Sequence, residues 1–213
     1  MDDNPNLALR YNIRSIPNVK AFRDGLVVSE FLGVQPENRI KDFIHKLAPS
    51  HIDLLLEKGQ SNLESMDWQE AHHSYRKFLD KSPGSPAGLL GLLKTTLMMG
   101  NLEKSKIIFD EFPPSPEYSK MLAIRPLYDA LRNNKSFHDL EDHPFDAAFH
   151  NALLLTLRGN IPAAMDGFID ILRQDKHYRD DIARKVILAL FEILGNDHQI
   201  TQQYRQELAL VLF

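Results

Sequence analysis

The sequence predicts a mainly α protein, a stack of paired helices preceded by a short β-β-α segment. Three observations carry this. Ala71, Tyr75, Phe78 and Pro83 recur 34 residues later as Ser105, Phe109, Phe112 and, one residue short, Pro116; Ala164, Phe168 and Ile171 give the pattern a third time. From Ile52 to Phe213 the apolar periodicity is helical throughout. Ahead of it, two short runs rich in β-branched and aromatic residues flank Asp24-Gly25.

Taken in order, Asn6–Tyr11 reads as a helical turn. Pro17–Phe22 and Leu26–Leu32 read as strands, and Asp24-Gly25 between them is a hairpin signal, because Gly accepts the positive φ of a tight turn. Pro36 opens a helix to about Ala48, with Ile40, Phe43, Ile44 and Leu47 on one face. The first helix pair is Ile52–Leu63 with Trp68–Asp80, and Pro83-Gly-Ser-Pro86 turns the chain. The second is Ala87–Met99 with Leu102–Phe112, broken by Pro113-Pro-Ser-Pro116. The period then slips from 34 to 59 residues, and the insertion holds a long helix, Glu117–Asn133, with Pro126 as an expected kink, and a polar loop to Pro144. The third pair is Phe145–Leu157 with Pro162–Gln174; Asp181–Leu194 and Ile200–Phe213 close the chain around Gly195-Asn196.

A 34-residue period of paired helices is the signature of tetratricopeptide repeats. Small residues such as Gly59, Ala71, Ala152 and Ala164 let helix backbones approach, and an aromatic four residues after the small one, Tyr75, Phe109 or Phe168, fills the groove beside it. The first helix of each pair lines the concave face of such an array. That register puts Leu56, Leu63, Leu90, Leu97, Met98, Phe149, Leu153 and Leu157 at the groove, with Lys94 as its basic residue. One lysine is not the basic ring that captures a C-terminal carboxylate. The groove suits an apolar client or a bound helix, unless the chain's own last helices fill it. Both readings stay open.

Composition excludes other classes. The chain has 213 residues, a net charge of −4 and no basic run, which argues against nucleic acid. It contains no Cys, so disulfides and thiol redox chemistry are absent from this sequence. The acidic Met1-Asp-Asp-Asn-Pro-Asn start lacks the apolar core of a secretory leader, and the longest apolar runs are too short for a bilayer. His138-Asp-Leu-Glu-Asp-His143 matches no zinc spacing and reads as a solvated loop; His72-His73 read as surface and edge residues. No nucleophile–base set or phosphate-binding loop stands out, so no catalytic residue, metal or cofactor is expected. Gly84, Gly88 and Gly91 read as a turn and a helix contact.

Ile200, Tyr204, Leu208 and Val211 share one face of the last helix, and the chain ends Leu208-Ala-Leu-Val-Leu-Phe213. This tip either packs on the array or docks a partner.

Two stretches carry a family resemblance. Leu7-Ala-Leu-Arg-Tyr-Asn-Ile-Arg-Ser-Ile-Pro-Asn-Val with Phe22-Arg-Asp-Gly25 and Gly33 looks like the thioredoxin half that follows its central strand. Arg184-Lys-Val-Ile-Leu-Ala-Leu-Phe-Glu-Ile-Leu-Gly195 and Tyr204-Arg-Gln-Glu-Leu208 are similar to the closing helices of the bacterial chaperedoxins. Those are cytosolic stress-response co-chaperones with a thioredoxin fold followed by tetratricopeptide-like helices. The resemblance implies a cis Ile16–Pro17 bond as a fold marker, with Asn18 where the family usually has Thr. The family's redox-motif half has no counterpart in this sequence. It further implies binding of unfolded clients, and contact with the chaperonin through the last helix, here Tyr204, Leu208, Val211, Leu212 and Phe213.

The expected organisation is therefore residues 1–48 as the C-terminal half of a thioredoxin-like domain and 49–213 as a helical repeat domain. The expected function is that of a non-enzymatic cytoplasmic co-chaperone or holdase for unfolded clients and the chaperonin. The alternatives are an oxidoreductase whose redox half lies outside this sequence, and an assembly scaffold with one fixed partner. A lone hairpin and helix leave Val19, Phe22, Val28 and Leu32 short of cover. The hairpin is expected to pack on the repeats, to pair with a second copy along its open edge as a homodimer, or to be poorly ordered.

Overall fold

A computed structural model describes residues 5–23, 25–47, 51–133 and 143–212. Met1–Asn4, Asp24, Ala48, most of the 133–144 loop with His138, and Phe213 lie outside the described residues. The chain divides into two compact units, residues 1–50 and 51–213.

In the first unit, α1 (Pro5–Arg10) precedes strands β1 (Asn18–Arg23) and β2 (Leu26–Leu32) and helix α2 (Glu37–Leu47). The strands pair antiparallel from Asn18↔Leu32 to Arg23↔Leu26, with an irregularity at Ala21/Phe22. Gly25 takes φ +78° in the two-residue turn, the conformation the sequence pattern demands. Lys20 and Glu30 face each other across the ladder as an ion pair. Phe31 meets Phe43 edge-on at 4.9 Å, tying the sheet to α2. The Arg23 guanidinium donates to the Leu47 carbonyl at 2.9 Å. The Ile16–Pro17 peptide bond is cis.

The second unit is all helical among its described residues: α3 (His51–Glu64), α4 (Trp68–Lys81), α5 (Pro86–Met98), α6 (Leu102–Asp110), α7 (Tyr118–Arg132), α8 (Asp146–Leu157), α9 (Ile161–Gln174), α10 (Tyr178–Leu194) and α11 (Gln199–Leu212). The positions that repeat in the sequence are the buried ones: Ala71, Tyr75 and Phe78 on α4, Ser105 and Phe109 on α6, Ala164, Phe168 and Ile171 on α9. Tyr75 wedges between two glycines. A Cβ on Gly59 would stand 2.9 Å from its ring, and one on Gly91 only 2.3 Å. Helices α3, α4 and α5 thus approach closely because glycine leaves room for one aromatic ring.

Each repeat also shares one inter-helix turn. Met66, Gly100 and Gly159 take left-handed φ of 57°, 74° and 77°. The next residue caps the second helix: Asp67 accepts from the Glu70 amide at 3.2 Å, Asn101 from Lys104 at 3.2 Å, Asn160 from Ala163 at 3.4 Å. These pairs obey the same 34- and 59-residue spacing as the core positions, a signal the sequence reading did not use.

After the second repeat the simple stack ends. Helix α7, with Pro126 inside it, packs against α5 and α6, and α10 runs along both α7 and α9. Helix α10 starts before the expected Asp181, through a left-handed turn: Arg179, Asp180 and Asp181 have φ of 43°, 56° and 62°. Such residues cost roughly 1–2 kcal/mol each. Neighbouring contacts hold the turn. Arg179 pairs with the buried Asp146 of α8, and the Tyr178 hydroxyl donates to the same carboxylate at 2.6 Å. Burial alone would raise the Asp146 pKa, but these hydrogen bonds and the Arg179 charge outweigh it and hold it below the usual carboxylate value.

Candidate functional site: an acidic cleft and the outer face of the last helix

The helical unit carries a cleft of about 880 Å³ lined by α3, α4, α5, the start of α7 and the turn after α10. Its apolar floor is Leu56, Tyr75, Ala87 and Leu90, with Gly91 opening the space above the Tyr75 ring. Helix α3 contributes Glu57, Gln60 and Glu64 to the rim; the opposite side brings Glu117, Lys120, Glu192 and Asp197.

Lys94 stands in this cleft with 13% of its side chain exposed. Its ammonium donates to the Glu192 carboxylate at 3.3 Å and to the Glu192 carbonyl. Burial lowers its pKa, and Glu192 counters that shift. Lys94 is therefore occupied in bridging α5 to α10 and is not a free anchor for a carboxylate. Among the described residues no cation lies within ion-pair distance of Glu57, Glu64, Glu117 or Asp197. The Tyr75 hydroxyl faces Gln60 at 3.4 Å, and burial, with the Glu64 charge second, pushes its pKa up to about 12. The cleft is thus an apolar trough with an acidic rim.

The expected groove residues separate into two sets. Leu56, Leu90 and Lys94 line the cleft. Leu63, Leu97, Met98 and Leu153 are core residues with at most 2% exposure, and Phe149 stacks on Phe168 and Tyr178 at 5.4 and 5.5 Å. Of the two readings the sequence leaves open, an exposed groove and one filled by the chain's own helices, each describes part of this set. Helix α7 packs on α5 and α10 packs on α7, so among the described residues Lys120 and Glu192 join the cleft at the α3–α5 end. Glu117, Lys120, Glu192 and Asp197 come from α7, its N-terminal edge, α10 and the turn after it, which the repeat register does not place, whereas Glu57 and Glu64 lie on α3 within the register and carry no apolar signal that would single them out. Elsewhere, His72 Nδ1 lies 3.3 Å from the Thr95 hydroxyl, while His73 is exposed.

The last helix needs a correction. Tyr204 and Leu208 face inward and are buried, and Val211 and Leu212 pack partly against the core. The Tyr204 hydroxyl lies 2.7 Å from Asp166 Oδ1 and 2.9 Å from the Pro162 carbonyl on α9; burial and then Asp166 raise its pKa. These residues attach α11 to α9 and cannot at the same time offer that stripe to a partner. The outward face carries Gln202, Gln203, Gln206 and Leu210, the last 83% exposed. Leu210 lies off the Tyr204–Leu208 stripe, which is why the stripe did not reveal it.

The tetratricopeptide repeat family matches residues 129–213. An uncharacterized protein of Mycobacterium tuberculosis and its counterpart in Mycobacterium bovis are each 22% identical over 228 residues, covering all of this chain. The chain spans 66% of the length of those mycobacterial relatives. The mitochondrial thioredoxin of Bos taurus is 38% identical over 47 residues, 22% of this chain and 28% of that protein. The thioredoxin of Rickettsia felis is 39% identical over 46 residues, 22% of this chain and 44% of that protein. No described helix is long and apolar enough to cross a membrane. The chain is mainly α, with a thioredoxin-like ββα segment followed by a tetratricopeptide repeat domain, an arrangement whose repeat part generally mediates protein–protein interaction.

Proposed function

We propose that this chain is a non-enzymatic cytoplasmic co-chaperone of the holdase type, taking apolar segments of unfolded clients into the α3–α5–α7 cleft and meeting the chaperonin through the outer face of α11. The observation that carries the reading is the cleft itself, an open trough lined by Leu56, Tyr75 and Leu90 beside the buried core of the repeat domain. The chaperonin part rests on the resemblance of the closing helices, and the surface α11 has to offer is Leu210 with its exposed glutamine neighbours. The absence of Cys from these 213 residues leaves thiol redox chemistry no nucleophile here, which favours binding over the oxidoreductase alternative.

The test has two arms. Light scattering should show that the chain slows aggregation of several unrelated thermally unfolding proteins at stoichiometric ratios. Suppression confined to one protein would favour a scaffold with one fixed partner. Gel filtration with purified chaperonin should show co-elution that Leu210→Asp abolishes. That substitution spares the buried Tyr204–Asp166 contact, so a folded variant that still co-elutes would remove α11 from the interface.

A further inference from the structure

We propose that the cleft selects basic amphipathic segments, a charge preference that no apolar groove has by itself. The inference rests on the reading that the helical unit binds protein, and it adds the chemistry of the bound segment. The floor supplies apolar contact through Leu56, Tyr75 and Leu90. The rim brings five carboxylates, Glu57, Glu64, Glu117, Glu192 and Asp197, against two lysines, Lys94 and Lys120. Lys94 and Glu192 pair with each other, leaving four carboxylates against Lys120. The trough therefore presents a net negative field beside a low-dielectric floor, the arrangement that focuses field lines and draws cations in.

A segment with Leu, Met or Phe on one face and Lys or Arg on the flanks satisfies both features. An acidic amphipathic segment would bury the same apolar surface while setting like charges side by side, which opposes binding. Unfolded or nascent chains rich in Lys and Leu are thus the favoured clients, and acidic ones are disfavoured.

The test uses the full chain and three labelled 15-residue peptides read by fluorescence anisotropy. One carries Leu at i, i+3, i+4 and i+7 with Lys elsewhere, one replaces Lys by Glu, and one keeps Lys but replaces Leu by Ser. The Leu/Lys peptide should bind at least about tenfold more tightly than either other peptide. Its affinity should weaken as salt is raised, because the rim charges are solvent-exposed. Glu57→Lys with Glu64→Lys, both at exposed positions, should remove about tenfold or more of that affinity. Glu103→Lys on α6 with Glu111→Lys just past its end, neither lining the cleft, should leave it unchanged. Equal binding of the Leu/Lys and Leu/Glu peptides, or indifference to the cleft reversal, overturns the proposal. Suppressed aggregation with no peptide bound leaves the holdase reading standing and the charge preference overturned. Peptide binding without suppressed aggregation supports the preference and sinks the holdase reading.

Discussion

The described residues of 51–213 enclose an extensive apolar core, with Leu54, Ile107, Leu122 and Leu210 among the exceptions, whereas residues 5–47 enclose none. In the helical unit one continuous core runs from Leu90 to Leu208. In the ββα segment Leu9, Ile16, Phe22, Leu26, Val28, Leu32, Val34 and Ile44 are all exposed. Both regions have local signals of comparable clarity. The strand pairing and the helix start of the short segment form as the sequence dictates. What differs is the number of layers. Two strands and a helix cannot enclose a core, while the nine described helices of the second unit can. Correct local structure is therefore not the same as stability.

That contrast can be broken or sharpened with the single tryptophan, Trp68 on α4, whose fluorescence reports unfolding of the helical unit. The largest effect is expected from Leu153→Ala. The side chain is fully buried, and truncation should cost roughly 2–5 kcal/mol in urea unfolding. Gly91→Ala comes next, at about 1–3 kcal/mol, because the new methyl would stand 2.3 Å from the Tyr75 ring. In an exposed helix the same change would stabilise, so the sign of the shift itself tests the wedge.

Asp146→Ala should cost about 1–3 kcal/mol at pH 7, since it leaves the Tyr178 hydroxyl without its acceptor. The Asp146 pKa is depressed on folding, so its contribution is complete above the unfolded carboxylate value near 4. It is lost as pH falls through the lower folded value. Urea titrations at neutral and strongly acidic pH should therefore show the gap between wild type and variant closing at low pH. A gap that stayed constant would mean that Asp146 acts by shape alone.

Gly159→Ala should cost about 1–2 kcal/mol, purely from its φ of +77°, because a methyl there meets nothing within 4 Å. The smallest effect belongs to the short segment. Leu26→Ser should shift Trp68-detected unfolding by less than about 0.5 kcal/mol, since that side chain is exposed. A larger shift would show that the two regions are coupled in stability.

The motif positions Ala71, Tyr75, Phe109, Phe168 and Ala164 declared themselves through period alone, because a close helix–helix approach admits few shapes and the repeat states that constraint three times. The turn pairs Met66-Asp67, Gly100-Asn101 and Gly159-Asn160 were equally legible, being local requirements of φ and capping, but Met in a position that favours glycine hides the first. The site was less readable. Leu56, Leu90 and Lys94 line the cleft, but the acidic rim also takes Glu117, Glu192 and Asp197 from outside the repeat register.

The sequence by itself thus determined the helices, the hairpin, the repeat register and the small–aromatic contacts, all of which depend on neighbours within a few residues or one period. Only the tertiary structure decided which face of α11 is inward, where α7 and α10 join the cleft, and that Lys94 finds Glu192 ninety-eight positions away. Those outcomes depend on which of several apolar faces bury one another, a competition settled by shape and volume across the whole unit and written in no local period.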